Sequence, residues 1–428
     1  MRSWILAALG LCVGLGAAPV GAQPTQYTAP GGGQGGGTKT KQQIEAEMER
    51  ARWNLGPIRL VPWAGLRNVT YVGNVFATSG DETSDLTGSL GVGLTAYLPT
   101  GPKVFWIAQA QPEYVFWLDL EERRALVGRY GAGVFADLNR LGLALNATRV
   151  EEQAVVSSET EQLSLARRDR ISADLDLHLT SALDLFAQGS LTDVEDEGAV
   201  GDDPGGPPFE LLHREERGLR TGLRYNADEL TVEIGAQIAE VEFEPGARDL
   251  SNRGTSPFVR LQLDGNRVSF DVELIQRSME PVGASELVPI DTTSGSLEVS
   301  FTPGWRFTLS PYGHRSTVYS LDSDYTHFTE DRWGLGVAAP FGRLGLRVFG
   351  EAGENDYEAA AAAAVPPRTD DFTGWGVGFD LELREWLRYR GGFHHLEYDS
   401  SLPAFDREID RVESTLNLAL PAGSWIWQ

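Results

Sequence analysis

Apolar and polar residues alternate along almost the whole chain between Ile58 and Leu420. In the stretch RISADLDLHLTSALDLFAQGSL (170–191), isoleucine, leucine and alanine alternate with serine, aspartate and histidine. Successive side chains of a strand point to opposite faces of a sheet, so a period of two residues predicts strands. The pattern forms about 18 such segments, each with one apolar and one polar face. It therefore predicts an all-β fold.

The connections between these segments alternate in length. Short links such as 99–103, 139–140 and 180–182 are followed along the chain by long polar links such as 150–162 and 194–212. Short turns at one end and long loops at the other are typical of outer-membrane barrels, whereas a soluble sandwich or propeller has no reason to sort its loops. Each apolar row also holds about five residues, as a spanning strand of about 10 residues requires.

These features predict a single antiparallel up-and-down transmembrane β-barrel of about 18 strands (16–18) over residues 57–428. The sheet must close on itself, because every backbone N–H and C=O group in lipid needs a partner within the protein. An even strand number places both termini at the end of the barrel that carries the short turns. We expect this end to face the periplasm and the long loops to lie outside the cell.

The N-terminus reads as an export signal. Arg2 is followed by an apolar run and then by Val-Gly-Ala before Gln23, which predicts a signal peptide over 1–22. A retained membrane anchor and lipidation at Cys12 are the alternatives, although no basic stop follows the run and Cys12 lacks a small residue before it. Cys12 is the only cysteine, so cleavage leaves no disulfide.

Residues 23–56 differ in composition from the rest of the chain. The Gly-rich stretch QPTQYTAPGGGQGGGT (23–38) predicts a flexible periplasmic linker. Residues 39–54 contain good helix formers, with Ile44 and Met48 one helical turn apart. They form either a short helix or a solvated spacer.

The formal net charge is −25, from 36 basic and 61 acidic residues. This charge disfavours a nucleic-acid partner, whose phosphates would be repelled. After the signal the chain has no apolar run of about 18 residues, the length of a transmembrane helix. A barrel needs no such run, because its lipid-facing residues alternate with polar ones.

If the apolar rows face lipid, the opposite rows line a polar lumen. An 18-stranded barrel is wide enough for an aqueous channel. The principal lumen-lining candidates are Arg129, Asp174, Asp176, His178, Glu216, Arg220, Arg224, Arg260, Asp271, Glu273, Arg306, Arg347, Asp380, Arg388 and Arg390. Further inward positions are Asp184, Glu233, Glu298, His314, Glu382 and Glu413.

Asp176 and His178 share one face and raise the question of a metal site or a catalytic pair. A metal or catalytic site needs a convergent set of side chains, which one strand does not supply, so a solvated wall is the other interpretation. The remaining histidines are scattered, and no G-x-S-x-G or H-E-x-x-H motif occurs. We expect no catalytic residue, metal or cofactor, and a protein that is not an enzyme.

Aromatic and acidic residues gather at the ends of the segments. Tyr97, Trp305, Phe341 and Trp386 stand beside short links, and the chain ends in SWIWQ, which favours interfacial aromatic girdles. Acidic clusters at 79–85, 194–203 and 354–358 are predicted to lie in external loops. There they either bind divalent cations or keep the loops soluble.

The segment GPIRLVPWAGLRNVTYVGNVF (56–76) resembles the first strand of a family of bacterial outer-membrane β-barrel porins, some of them associated with exopolysaccharide systems. The shared features are the Gly-x-x-Arg start, a proline and a glycine within the strand, and Asn74-Val75-Phe76 near its end. The aromatic C-terminus is similar to the terminal signal of such barrels, although Gln428 follows it here.

The resemblance implies an outer-membrane channel of a Gram-negative bacterium, either porin-like and open to small hydrophilic solutes or an accessory of exopolysaccharide export. The alternative is a barrel with a filled lumen that serves as the scaffold of an outer-membrane enzyme or surface adhesin. A TonB-dependent transporter is excluded, since 23–56 is too short for a plug domain. Expected partners are outer-membrane lipid and lipopolysaccharide, the barrel-assembly machinery, and small solutes or polysaccharide.

Overall fold

A computed structural model describes residues 41–51, 53–72, 83–155, 157–159, 163–197, 213–244, 248–304, 307–361, 363, 365–384 and 387–418. The predicted signal peptide and the whole Gly-rich stretch 23–38 lie outside these residues. So do the loop clusters 79–82 and 198–203, and the aromatic residues Trp305, Trp386, Trp425 and Trp427. Within the described residues, no helix is long and apolar enough to cross a membrane.

One helix and 19 strands make up the described part of the chain. Two short 3-10 helices, Glu121–Arg123 and Pro403–Phe405, lie in loops. The elements are α1 (Lys41–Arg50), β1 (Trp53–Leu55), β2 (Ile58–Val72), β3 (Asp85–Pro99), β4 (Val104–Trp117), β5 (Ala125–Asp137), β6 (Leu141–Val155), β7 (Leu163–His178), β8 (Leu183–Glu197), β9 (Arg214–Ala227), β10 (Leu230–Phe243), β11 (Asn252–Asp264), β12 (Val268–Pro281), β13 (Ile290–Phe301), β14 (Thr308–Tyr319), β15 (Tyr325–Phe341), β16 (Leu344–Ala359), β17 (Thr369–Arg384), β18 (Leu387–Ser400) and β19 (Arg407–Leu418).

The sheet closes on itself. Each strand from β2 to β18 pairs antiparallel with the next, and β19 pairs with β2 through Val412 and Tyr71. The short β1 pairs with the start of β2. The fold is therefore an up-and-down barrel of 18 strands with one short additional strand, and it confirms the fold class predicted from the sequence. Closure leaves no unpaired edge among the described strands β2 to β19.

The apolar rows face outward and the polar rows face inward. Leu126, Ile171, Ile234 and Val348 are among the exposed residues of the outer face, whereas their sequence neighbours point into the barrel. Such an exposed apolar surface suits lipid rather than water. Alternation alone thus assigned the two faces correctly.

Aromatic side chains mark the upper and lower limits of the apolar band. Trp333 and Phe341 on β15 are 65% and 61% exposed. They lie eight residues apart, about 26 Å along the strand, or about 20 Å along the barrel axis at the usual strand tilt. This span is close to the apolar band of about 25 Å in outer-membrane barrels.

Turns are short at one end of the barrel, which we call the short-turn end, and longer at the other, the long-loop end. Links of two or three residues join β9 to β10, β11 to β12 and β15 to β16 at the short-turn end. The connections at the long-loop end include the seven residues 156–162 between β6 and β7 and the nine residues 360–368 between β16 and β17. The predicted sorting of loops is confirmed.

Three expectations were wrong in detail. Tyr97 does not belong to an outer girdle: its side chain points inward and is fully buried. The acidic clusters are only partly in loops: 354–358 is the end of β16 and 194–197 is the end of β8, because the strands continue beyond the apolar band. Similarly, the polar stretch SLDSDYTHFTED (320–331) predicts a long link after β14, but the link is only 320–324, since β15 already begins at Tyr325.

Candidate functional site: the lumen and its constriction

The first charged region of the lumen is a continuous network on β7 to β12. Arg224 pairs with Asp176 at 2.7 Å and with Glu233 at 2.6 Å, and Arg220 pairs with Glu273 at 2.8 Å. These residues meet because the antiparallel register places them side by side on the inner face. The network joins carboxylates and guanidinium groups that are far apart in sequence but adjacent on the wall.

The same wall holds its arginines in fixed orientations. The Arg220 guanidinium lies 3.6 Å from the centre of the Phe258 ring, and that of Arg224 lies 4.8 Å from the centre of the Phe186 ring. Such cation–π contacts stabilise a desolvated arginine. Arg260 makes a bidentate pair with Asp271. Most of these groups remain partly exposed, as expected on the wall of a wet lumen.

A second charged region lies on the opposite wall, on β17 and β18. Asp380 accepts hydrogen bonds from Arg388 Nε at 2.6 Å and from Arg390 Nε at 2.7 Å. Each oxygen of this carboxylate is thus engaged by a different guanidinium group. Arg347 of β16 is directed towards this region, since its guanidinium lies 3.4 Å from the Cβ position that a side chain at Gly378 would occupy.

Three other predicted positions have separate surroundings. Arg129 pairs with Glu152 at 2.9 Å, and Glu216 pairs with Arg214 at 2.7 Å. Asp174 is directed inward from β7, opposite Gln188. Arg306 lies outside the described residues.

The structure does not bring Asp176 and His178 together as a site. Asp176 binds Arg224, whereas His178 Nδ1 lies 2.7 Å from Asp184, which also accepts a hydrogen bond from Asn226. Both carboxylates are thus engaged by different partners.

Within the part of the chain that the structure describes, one cluster has three ligand-type side chains, His395, Glu408 and Asp410. It stands on the outer face of β18 and β19, away from the lumen.

The lumen is constricted near the long-loop end by residues 157–159, the tip of the β6–β7 connection. In an 18-strand ring β6 and β15 are nine strands apart, on opposite sides of the barrel. Even so, Ser158 Oγ donates to Glu330 of β15 at 3.4 Å and its carbonyl accepts from Arg407 of β19 at 2.7 Å. The tip therefore reaches across the lumen to the far wall.

Glu159 is the most strongly held residue of this tip. Its carboxylate accepts hydrogen bonds from the Leu321 N–H at 2.6 Å and from Ser320 Oγ at 2.9 Å, and it pairs with Arg368 at 3.3 Å. Burial raises the pKa of Glu159 above its ordinary value, and the positive charge of Arg368 and these hydrogen bonds only partly oppose the shift. Burial also raises the pKa of nearby Asp322.

Arg368 connects the tip to four other parts of the barrel. Its guanidinium makes a bidentate pair with Asp370, with the shorter distance 2.7 Å, and lies 3.6 Å from Asp322. The rings of Phe405 and Tyr357 lie 3.5 Å and 4.1 Å from its carbon centre. The planar, delocalised guanidinium suits both kinds of contact, which a lysine would not reproduce.

A second buried layer lies directly beneath the tip on β14 to β18. Arg332 Nε lies 3.0 Å from Glu330, and its guanidinium stacks 4.4 Å from the Phe372 ring centre. Glu351 accepts a hydrogen bond from Tyr312 at 2.8 Å, and His394 Nε2 lies 3.4 Å from the same carboxylate. This layer supports the constriction on one side of the lumen.

The sequence did not single out Glu159, Arg368 or Asp370. Glu330, Arg332 and Glu351 have the inward parity of their strands and could have been added by the same rule. Glu159 and Arg368 lie in connections, where alternation gives no facing direction. Nothing local in the sequence indicates that one loop tip folds into the barrel.

No protein-family model matches the chain, and no curated protein matches it. Solved structures do match. OccAB3 of Acinetobacter baumannii aligns with 12% identity and a TM-score of 0.51 over 84% of this chain and 99% of its own. OccK2 of Pseudomonas aeruginosa, solved in complex with glucuronate, aligns with 13% identity and a TM-score of 0.52 over 84% and 98%.

OpdK of Pseudomonas aeruginosa, solved with vanillate, aligns with 14% identity and a TM-score of 0.51 over 84% of this chain and 98% of its own. The chain has the barrel fold of outer-membrane porins. Identities this low show the shared fold alone, so the function must be argued from the residues of this chain.

Proposed function

We propose that the protein is a channel for small hydrophilic solutes in the outer membrane of a Gram-negative bacterium. The observation that carries the proposal is a closed barrel whose outer face is apolar and whose inner face is charged, ion-paired and partly exposed. An apolar exterior fits lipid, and a charged wall of this kind fits a water-filled path. The short-turn end would face the periplasm.

The solute class follows from the wall and the constriction. Both charge signs line the lumen, and the buried tip 157–159 narrows it near the long-loop end. This combination favours small polar or charged solutes over large ones. Small carboxylates of the kind bound in the OccK2 and OpdK structures, glucuronate and vanillate, are the first solutes to test.

The deciding experiment measures single-channel conductance of the refolded mature protein, from Gln23, in a planar bilayer. A salt gradient gives the ion selectivity, and added glucuronate tests for solute block. We expect steady conductance. A folded, heat-modifiable barrel that never conducts would contradict the channel and favour a filled scaffold for an enzyme or adhesin.

The exopolysaccharide association implied by the resemblance stays a prediction. It leads to a different expected result in the same conductance measurement. An export accessory would show current block by a long anionic polysaccharide from the periplasmic side. A channel for small solutes would show block by glucuronate instead. Lipopolysaccharide contact at the apolar band and insertion by the barrel-assembly machinery belong to either version of the proposal.

A further inference from the structure

The helix α1 lies inside the barrel at the short-turn end. Ile44 is fully buried and packs with Val61, Tyr97 and Phe105. These wall residues belong to β2, β3 and β4 and point inward. The helix therefore covers the inner wall of the barrel and does not extend freely beyond it.

The wall beneath α1 differs from the two charged regions of the lumen. Besides Val61, Tyr97 and Phe105, it presents Ile107 and Phe135, whereas the walls formed by β7 to β12 and by β17 and β18 are charged. The Phe105 and Phe135 ring centres lie 6.4 Å apart. An apolar patch of this kind would be unfavourable against a water-filled lumen and is stabilised by a cover.

Polar contacts hold the helix in place at both ends. Tyr97 Oη donates a hydrogen bond to the Glu47 carboxylate, and Lys41 Nζ lies 3.6 Å from Asp137 at the last position of β5. The opposite side of the helix, with Gln43, Glu45 and Glu49, is exposed. One face of the helix thus packs on the apolar wall, and the opposite, polar face is exposed.

We infer that α1 is a plug docked in the periplasmic mouth, which narrows the channel until it is displaced. This inference rests on the proposed channel function. A helix of 10 residues is marginal alone in water, so α1 depends on the wall for its structure. Undocking would unfold the helix and open the mouth in one step.

The plug acts by occupying space. A helix is about 10 Å across with its side chains, a large share of the mouth of an 18-stranded barrel. The helix is joined to the barrel through the short link to β1 and β2, and it can leave the mouth by turning about this link. Displacement therefore changes the cross-section without changing the barrel.

Docking is measured first, by cysteine labelling. The mature chain from Gln23 contains no cysteine, so Ile44→Cys and Glu45→Cys each introduce a single thiol. A membrane-impermeant maleimide should label the buried thiol of Ile44→Cys at least about tenfold more slowly than the exposed thiol of Glu45→Cys. Equal labelling rates would overturn the docking of α1.

Conductance is measured second, on Ile44→Asp and Gln43→Asp. Both substitutions add one negative charge to the same turn, but only the first places it against the apolar wall. We expect roughly a twofold higher conductance for Ile44→Asp, since the released helix vacates part of the mouth, and an unchanged value for Gln43→Asp. Unchanged conductance in both variants, with the thiol of Ile44→Cys protected from labelling, would overturn the plug.

The two proposals fail in different ways. If wild type, Ile44→Asp and Gln43→Asp all stay silent as folded, heat-modifiable barrels, the channel is contradicted, and the plug with it, while labelling still reports whether α1 is docked. If only wild type and Gln43→Asp are silent and Ile44→Asp conducts, α1 closes the mouth completely, which supports the plug.

Discussion

Glu159 and Arg368 form a buried ion pair of 3.3 Å although 209 residues separate them in the chain. The pair joins the tip 157–159 to the wall that lies across the lumen. Since both side chains are fully buried, removing Arg368 leaves the Glu159 carboxylate without a positive partner, whereas Arg368 would still pair with Asp370 if Glu159 were removed. Arg368 therefore contributes to holding the constriction in place, together with the hydrogen bonds from Leu321 and Ser320 to Glu159.

Replacing Arg368 should release the tip. We expect Arg368→Ala to weaken tip docking by about 3–5 kcal/mol, the usual cost of breaking a buried pair, and to raise the single-channel conductance. Arg368→Lys should be nearly as disruptive, because a lysine cannot make the bidentate contact with Asp370 or stack between Phe405 and Tyr357.

The matched control is Arg315→Ala, which removes a half-exposed arginine from the outer face of β14 and leaves both the lumen wall and the tip untouched. Protease accessibility of 157–162 from the long-loop side provides a second measurement. A tip that remains protected in Arg368→Ala would contradict the role assigned to the pair.

Tip docking should depend on pH through Glu159. Its pKa is raised when the tip is docked, so the docked state binds the proton more tightly than the free tip. The added stability is fully present below the ordinary glutamate pKa of about 4.3 and is lost as pH rises through the docked value. Conductance should therefore be lower in acid and increase over this range.

The variant Glu159→Gln should flatten this pH dependence, because the neutral amide resembles the protonated acid. A smaller residual dependence is expected from Asp322, whose pKa burial also raises. Conductance traces recorded across the acidic range, on wild type and Glu159→Gln, check the prediction. An opposite slope in the wild type would show that ionised Glu159 holds the tip better than the protonated form does.

Ion selectivity should respond to Asp380. This carboxylate neutralises Arg388 and Arg390, so Asp380→Asn leaves an additional positive charge on the lumen wall. We expect the reversal potential in a salt gradient to move towards anions. Asp371→Asn removes the same charge from the outer face of the same strand and should leave the reversal potential unchanged. Equal shifts would mean that Asp380 does not face the ion path.

The two faces of β7 can be distinguished by a matched pair of arginines. Leu175→Arg places a charge on the apolar outer face and should cost about 2–4 kcal/mol of folding stability in a bilayer. Ser172→Arg places the same residue on the inner face of the same strand, where water and charged neighbours accommodate it at little cost. Urea titration of the lipid-embedded barrel compares the two, and similar losses would contradict the assignment of faces.

Much of the fold was predictable because the signal is local. The side-chain direction in a strand alternates with every residue, so a row such as Leu175 and Leu177 identifies the lipid face without any knowledge of neighbouring strands. The ion pairs of Arg220, Arg224 and Arg388 follow from the same parity, once the register is fixed. Tyr97 was misassigned because its position beside a turn was weighed above its parity.

The sequence by itself determined the closed barrel, a strand number of about 18 and the sorting of loops, since these follow from a period of two residues and from link lengths. Only the tertiary structure decided that 157–159 crosses the lumen to Arg368 and that α1 covers the wall at Tyr97. Both contacts join segments far apart in the chain, whose meeting depends on how a loop and a helix fold into the barrel, and no local periodicity encodes that.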